Sequence, residues 1–474
     1  MDHRPHATLV RALGPWSGAL LTVGSIVGTG IFLTPRDVAR ALPNAGAIVG
    51  MTIVVGLLTL AGGLTYARLG VRFPRSGGPY AFLREAYGPV WGFLYGWTAF
   101  LVIMGAGLAA IAMGFAEYCS AFVPVFAPDH VLGTIALGPW HWTLSGAALG
   151  ATIAIVVLTA VNHVGLVAGV RVQAALTITE VAALVLFVVW ALWHGGAGAL
   201  SLSSVVPAAT AGNAGTVAGA QITAVHWSLA GVSAAVVALL WTYDGWYGLT
   251  YSAAEIRNPE RNLPRGLLGG VLATTLLYAL VMLAYTRALP LGVLRDAPRT
   301  AEAAATALAG AGAGRAMTVL IMLCALGCLA SNLVWAARAY VSMAEDGVFF
   351  RSLGVIHPSF RTPVRALWAQ SAWCVLVAWT GTYTQLYTWV TVALVSFHVA
   401  TALAVFVLHR RGVLKLPWAA GVLAAVFAGA CALLAIDAAR AHPLASLAGI
   451  AVILLGIPLM KWQRRRDAGS PKTA

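Results

Sequence analysis

"VGSIVGTGIF", residues 23–32, sets three glycines, Gly24, Gly28 and Gly30, in an uncharged stretch long enough to begin crossing a bilayer. Each interior glycine weakens a helix by about 1 kcal/mol relative to alanine, so a spanning helix that carries three of them is expected to break. A break at membrane depth frees amides that must face protein, a ligand or water. The stretch therefore predicts a buried binding site, provided that the rest of the chain spans a membrane.

The composition meets that condition. Of 474 residues, 60% are apolar and 9% charged, against about 45–50% and about 25% in soluble domains. Uncharged tracts recur along the whole length. The tract 366–408 would form a helix of about 65 Å, twice the hydrocarbon thickness, and it holds the turn-like Thr380-Gly381-Thr382, so it reads as a helical hairpin. The expected fold is an all-α integral membrane protein with twelve transmembrane helices, near 15–41, 44–69, 90–119, 144–162, 172–193, 226–256, 266–288, 315–343, 364–380, 384–409, 416–436 and 443–461.

The net charge of +14 does not read as a nucleic-acid surface, because the arginines sit at helix ends and not on one face. With both termini cytoplasmic, 22 of the 29 Lys and Arg fall inside, which satisfies the positive-inside rule. The first apolar segment has no small-residue cleavage site and is expected to stay as a span. Five cysteines lie in or at the ends of spans. Cys324 and Cys328, one turn apart, read as small packing residues, since a metal or redox pair would need further ligands; no metal and no cofactor are expected. No Asn-x-Ser/Thr sequon occurs.

A second interruption, "WTYDGWYG" at 241–248, lies five spans after the first. Five is odd, so the second copy is inverted, the pattern of a five-plus-five inverted repeat with a midplane site. The expected division is 1–193 for the first repeat, 194–225 for an extracellular loop, 226–409 for the second repeat, and 410–474 for helices 11 and 12 with a basic cytoplasmic tail. The half-helix starting near Thr29 points N–H groups into the cleft, and those ending near Ile26 and Trp241 point carbonyls into it. An anion and a cation are invited side by side, and an amino acid supplies both. Gly24 and Gly28 also have the spacing of a tight helix interface, an alternative that spacing alone leaves open. Asp244, in the second break, is a charge near the bilayer centre, which costs at least about 2.5–3.5 kcal/mol and marks function.

Four stretches carry a resemblance: "GSIVGTGIF", "PRSGGPYAFLREAYGPVWGFLYGW" (74–97), "YDGWYGLTYSAAEIRNPERNLPRG" (243–266) and "ARAYVSMAEDGVF" (337–349). Together they resemble the L-type amino acid transporter family of the amino acid, polyamine and organocation superfamily. The resemblance implies a LeuT-like fold with helices 1 and 6 broken, alternating access, and neutral L-amino acids as substrates. Carried over, Thr29 and Gly30 would offer N–H groups to the substrate carboxylate, with Gly28 and Gly30 leaving room for its approach. The carbonyls of Ile26 and Trp241 and the backbone around Thr242, Asp244 and Gly245 would hold the amine. The Trp241 ring would close over the substrate as an aromatic gate, the alternative being a core tryptophan. Glu255, Arg257, Glu260 and Arg261 read as an ion-pair and cap region of the inner gate, Arg338 as snorkelling to the interface, and His398 as a packing residue.

One position departs from the family. Val172 and Gln173 match its helix 5, but where a lysine follows seven residues after the glutamine, this chain has Glu180. A carboxylate facing the helix 1 carbonyls must be protonated, bind a cation or pair with a base. Ser331 and Asn332 on helix 8 are the expected oxygen ligands, and H+ or Na+ the expected coupling ion. The family's disulfide-linked glycoprotein partner uses a cysteine in the loop after helix 3. Loop 120–143 has none, so no such accessory subunit is expected.

The resulting expectation is a multi-pass cell-membrane carrier of neutral L-amino acids in contact with lipid. The alternatives are a cationic amino acid or polyamine carrier, suggested by Asp244 and Glu180, and a nutrient-sensing receptor on a transporter fold. A membrane enzyme would need clustered acids, and the 15 acids are scattered.

Overall fold

The computed structural model describes residues 13–75, 77–137, 140–164, 167–194, 226–360, 362–441, 449–451 and 453–460. Most of the expected loop 194–225, the tail from 461 and the side chains of Val172 and Gln173 lie outside the described residues.

The first segment is interrupted where its glycines fall. α1 (Pro15–Ile26) opens on a proline at its first position, with the Gly14 amide bonded to Ser17 Oγ at 2.8 Å, and stops as Val27 turns extended. The chain coils again as α2 (Gly30–Leu33), preceded by Thr29, and α3 (Pro35–Ala41), which restarts on Pro35. Proline suits a first turn because its missing N–H has no helical partner there.

α4 (Ala45–Arg72) is capped by the Asn44 side chain, which accepts from Ala47 N. α5 (Pro79–Tyr87) is a short helix between spans. The expected third span is α6 (Pro89–Thr98), a π turn at Ala99–Ile103 and α7 (Met104–Cys119). The expected loop after it contains an antiparallel hairpin, β1 (Val131–Leu137) and β2 (Trp140–Ser145). α8 (Gly146–Val164) and α9 (Val167–His194) follow.

The second interruption also lies where the sequence places it. α10 (Leu229–Thr242) ends at the tyrosine before Asp244, the chain turns through Gly245 at φ 93°, and a 3-10 segment runs from Gly248 to Glu255. α11 (Pro259–Ala288) begins about two turns before the apolar tract that announced it. A short α12 (Leu291–Asp296) leads into α13 (Thr300–Glu345), which bends at Ala309–Gly310. α14 (Val364–Ala378) and α15 (Tyr383–Arg410) form the hairpin predicted for 366–408, with Thr382 and Gln385 making a capping box. α16 (Trp418–Ala441) and α17 (Gly449–Met460) complete the described chain.

Among the described residues, eight helices are long and apolar enough to cross a membrane, and α10, α14 and α17 are shorter apolar helices. The outward faces are apolar, with Leu186 and Leu433 more than two-thirds exposed, as a lipid-facing surface requires. Buried threonines return their hydroxyls to their own helix, as in Thr22 to Gly18 O, Thr52 to Ile48 O and Thr274 to Gly270 O. No polar group need then be offered to lipid. α1 lies along α11, with Gly18 against Gly266 and Thr22 over Gly270.

Candidate functional site

The two interruptions meet. A Cβ added to Gly30 would stand 2.8 Å from Thr242 Cα, and one on Gly245 would reach within 2.8 Å of the Ser25 carbonyl carbon. Thr34 and Thr242 share a hydrogen bond of 2.6 Å across the junction. Gly28 faces α13, where a Cβ would meet Cys328 Sγ at 3.0 Å, and Gly24 faces Thr177 of α9. These glycines therefore let four segments touch closely, which is the interface role that their spacing left open. The freed ends of the break are partly answered within the protein. Ile26 O accepts from Tyr278 Oη at 3.0 Å, which leaves its second lone pair for a ligand.

A small cavity of about 40 Å3 lies against the second break. Its apolar wall is Ile103, Met104, Leu108 and Ile111 with Trp335, and its polar groups include Asp244 and Asn332. The Asp244 carboxylate accepts from the Gly245 amide and from the Tyr247 hydroxyl. One water needs about 10–15 Å3 of such space, so the cavity has room for a few waters and the walls must separate before a molecule the size of an amino acid enters.

Trp241 closes this cavity towards α3. Its Nε1 donates to Tyr383 Oη at 3.0 Å, and its ring stacks on Tyr387 at 6.0 Å between centroids and 20° between planes. Tyr383 Oη also lies against the Thr29 hydroxyl. Tyr387 donates to Asp37 Oδ2 at 2.9 Å. Asp37 is 3.7 Å from Arg36, whose guanidinium donates to Glu117 of α7 at 3.0 Å and to Pro298 O at 3.1 Å. Arg295 donates to Ala39 O at 2.9 Å, a cation on the carbonyl end of α3. The α3 face is thus closed by a ring pair beneath an ion cluster.

The opposite face is closed differently. Leu13 exchanges backbone hydrogen bonds with Glu255 and Arg257, and Arg338 pairs with Glu255 at 3.0 Å instead of reaching for the interface. Arg84 pairs with Asp346, which also accepts from Tyr80 Oη at 2.9 Å. Burial, and then that carboxylate, push the Tyr80 phenol above its ordinary value, so it remains a donor.

Glu180 is 4% exposed, and Oε1 has no hydrogen-bond partner among the described residues. Its carboxylate accepts from the Cys324 thiol, and Cys328 and Tyr278 are the other titratable groups set near it. Of the predicted oxygen ligands, Ser331 donates its hydroxyl to Gly327 O, and Asn332 donates to Cys328 O while lining the cavity. His398 is buried against Tyr66, with 2.7 Å between Nδ1 and Oη.

Sequence reasoning missed Tyr383, Tyr387, Tyr278 and the Arg36–Asp37–Glu117 cluster. Tyr383 and Tyr387 stand one turn apart at the start of α15, a spacing that puts both rings on one face. Nothing in the linear pattern says that the face meets Trp241.

The amino acid permease profile matches residues 13–455. The chain is 28% identical over 414 residues to the serine/threonine exchanger SteT of Bacillus subtilis (strain 168), covering 86% of each chain. It is 30% identical over 281 residues to b(0,+)-type amino acid transporter 1 of Mus musculus, covering 59% of this chain and 51% of that one. It is also 29% identical over 366 residues to large neutral amino acids transporter small subunit 2 of Oryctolagus cuniculus, covering 76% and 62%. The match thus spans about half the length of the b(0,+)-type relative.

Proposed function

Because the chain belongs to the amino acid permease family, we propose that it is a secondary transporter carrying neutral L-amino acids across the cell membrane by alternating access. The observation that carries this reading is the meeting of the two helix breaks at Gly30–Thr242 and Ser25–Gly245. A half-helix beginning and two half-helices ending around one point supply the N–H groups and carbonyls that a zwitterion needs. Thr29 and Gly30 would take the carboxylate, and Ile26, Trp241 and the Asp244 backbone the amine. The SteT and large-neutral relatives, named for serine and threonine and for large neutral amino acids, support a neutral substrate.

The proposed architecture has twelve spans: the eight long apolar helices, the shorter α10, α14 and α17, and the interrupted run from α1 to α3. Residues 1–193 and 226–409 would form the two inverted repeats of a LeuT-like fold, with 194–225 outside and both termini in the cytoplasm. Glu180 is the proposed coupling site. Among the described residues the titratable groups near its buried carboxylate are Cys324, Cys328 and Tyr278, whereas a hard cation prefers several oxygen ligands, so H+ is the coupling ion we favour over Na+. We propose no enzymatic activity and no disulfide-linked accessory chain.

A second reading, a cationic amino acid or polyamine carrier, is favoured by the Asp244 carboxylate on the cavity wall. Uptake of labelled leucine into proteoliposomes, competed with unlabelled alanine, arginine and putrescine, separates the two. Competition by alanine alone supports the neutral reading. Competition by arginine or putrescine alone supports the other, and no uptake of any amino acid, with binding retained, assigns the chain to a sensor.

A further inference from the structure

On the lipid-facing side of α1, away from the cavity, a groove of about 930 Å3 runs between α1, α9 and α11. Its floor is built from small residues, Ala19 on α1, Ala182 on α9, and Gly269, Gly270 and Ala273 on α11. A Cβ on Gly269 would meet nothing within 4 Å, so the space above the floor is open. Leu20, Ile178, Val185 and Leu280 raise its edges.

Arg265 is the one charged side chain among the lining residues, and it stands at the same end as Pro15 and the largely exposed Trp16. Arg261 precedes it by one turn on α11 and is also exposed. From Arg265 to Leu280, α11 rises about 22 Å, close to the roughly 20–22 Å of one leaflet with its headgroup layer. A tryptophan at the cationic end fits the interfacial level.

We propose that this groove binds one anionic phospholipid, its phosphate at Arg265 and an acyl chain laid along the small-residue floor. The length selects a lipid of one leaflet, the apolar walls select its chain, and the single cation selects its charge. The occupant lies against α1, the half-helix that ends at the first break, so it would pack on an element that alternating access must move.

The test reads binding directly and does not depend on transport. Protein is reconstituted in nanodiscs of equal phosphatidylglycerol and phosphatidylcholine, and the lipid carried on release is read by native mass spectrometry. The wild type is expected to carry one phosphatidylglycerol, enriched about fivefold over phosphatidylcholine, from one basic residue near the surface. Arg265→Gln is expected to carry either lipid without preference, and Gly269→Leu, whose Cβ meets nothing within 4 Å and whose side chain would fill the floor, to carry none. Equal phosphatidylglycerol on all three proteins would place the lipid elsewhere and overturn the proposal. So would a wild type that carries phosphatidylcholine equally, or no lipid at all.

Discussion

Gly30 carries two demands in one residue, since its amide is proposed to meet the substrate carboxylate and its missing side chain lets α2 rest on Thr242. Backbone atoms cannot rotate aside, so Gly30→Ala should cost about 1–3 kcal/mol through overpacking and lower both amino acid uptake and thermal stability. Gly50→Ala, where an added Cβ meets nothing, should leave both unchanged. Full uptake and an unchanged melting temperature in the Gly30→Ala variant would show that the two breaks are not in contact. Glu180 sets the other test at this scale. Glu180→Gln removes the titrating group and should abolish stimulation of uptake by an imposed pH gradient. Glu180→Lys restores the family's fixed cation and should leave a gradient-independent exchanger. Liposome uptake under separate pH and sodium gradients checks both, and wild-type uptake indifferent to either gradient would make the carboxylate a bystander. The departure at 180 was legible in the sequence because a reversed charge stands out against a family pattern. Its neighbours were not, because Cys324 reaches it only through the packing of α9 against α13.

At the scale of elements, the interrupted helices were legible because glycine and an intramembrane acid are costly wherever they fall, and such costs show in one dimension. The hairpin α14–α15 was legible from length, since a tract twice the bilayer thickness must turn. The π turn at 99–103 and the hairpin β1–β2 were not, because neither needs a distinctive residue. The setting of Trp241 was half legible: the residue was singled out, but its support on α15 was not. Tyr387 links the Trp241 ring to Asp37 on α3, so ring and half-helix are held by one phenol. Trp241→Ala should therefore slow turnover more than it weakens equilibrium binding. Tyr387→Phe keeps the stack and loses only the bond to Asp37. It should shift the balance of closed and open α3 faces by about 1 kcal/mol, or about fivefold. Comparing binding by scintillation proximity with uptake checks both variants. Equal losses in binding and turnover would return Trp241 to a purely structural role.

At the scale of the whole molecule, closure at both faces leaves a cavity too small for an amino acid, and the two closures use different chemistry. The α3 face has arginine–carboxylate pairs over aromatic rings, whereas the Leu13 face has backbone pairing, Arg338–Glu255 and Arg84–Asp346. Weakening one face should bias the carrier towards opening on that side. All five cysteines are free and buried, and Cys328 lies beside Gly28 at the first break, so the native chain holds its own reporter of opening. Glu255→Gln breaks a partly exposed pair worth about 0.5–1 kcal/mol and should raise labelling of Cys328 by a water-soluble maleimide about two- to fivefold. The rise should be confined to reagent applied from the Leu13 side. Arg36→Gln should do the same from the α3 side only. Cys328→Ser should remove the signal in both variants, and a transported amino acid should suppress it by filling the site. Labelling that rises equally from both sides in either variant would mean that the pairs hold the fold as a whole and do not act as separate gates.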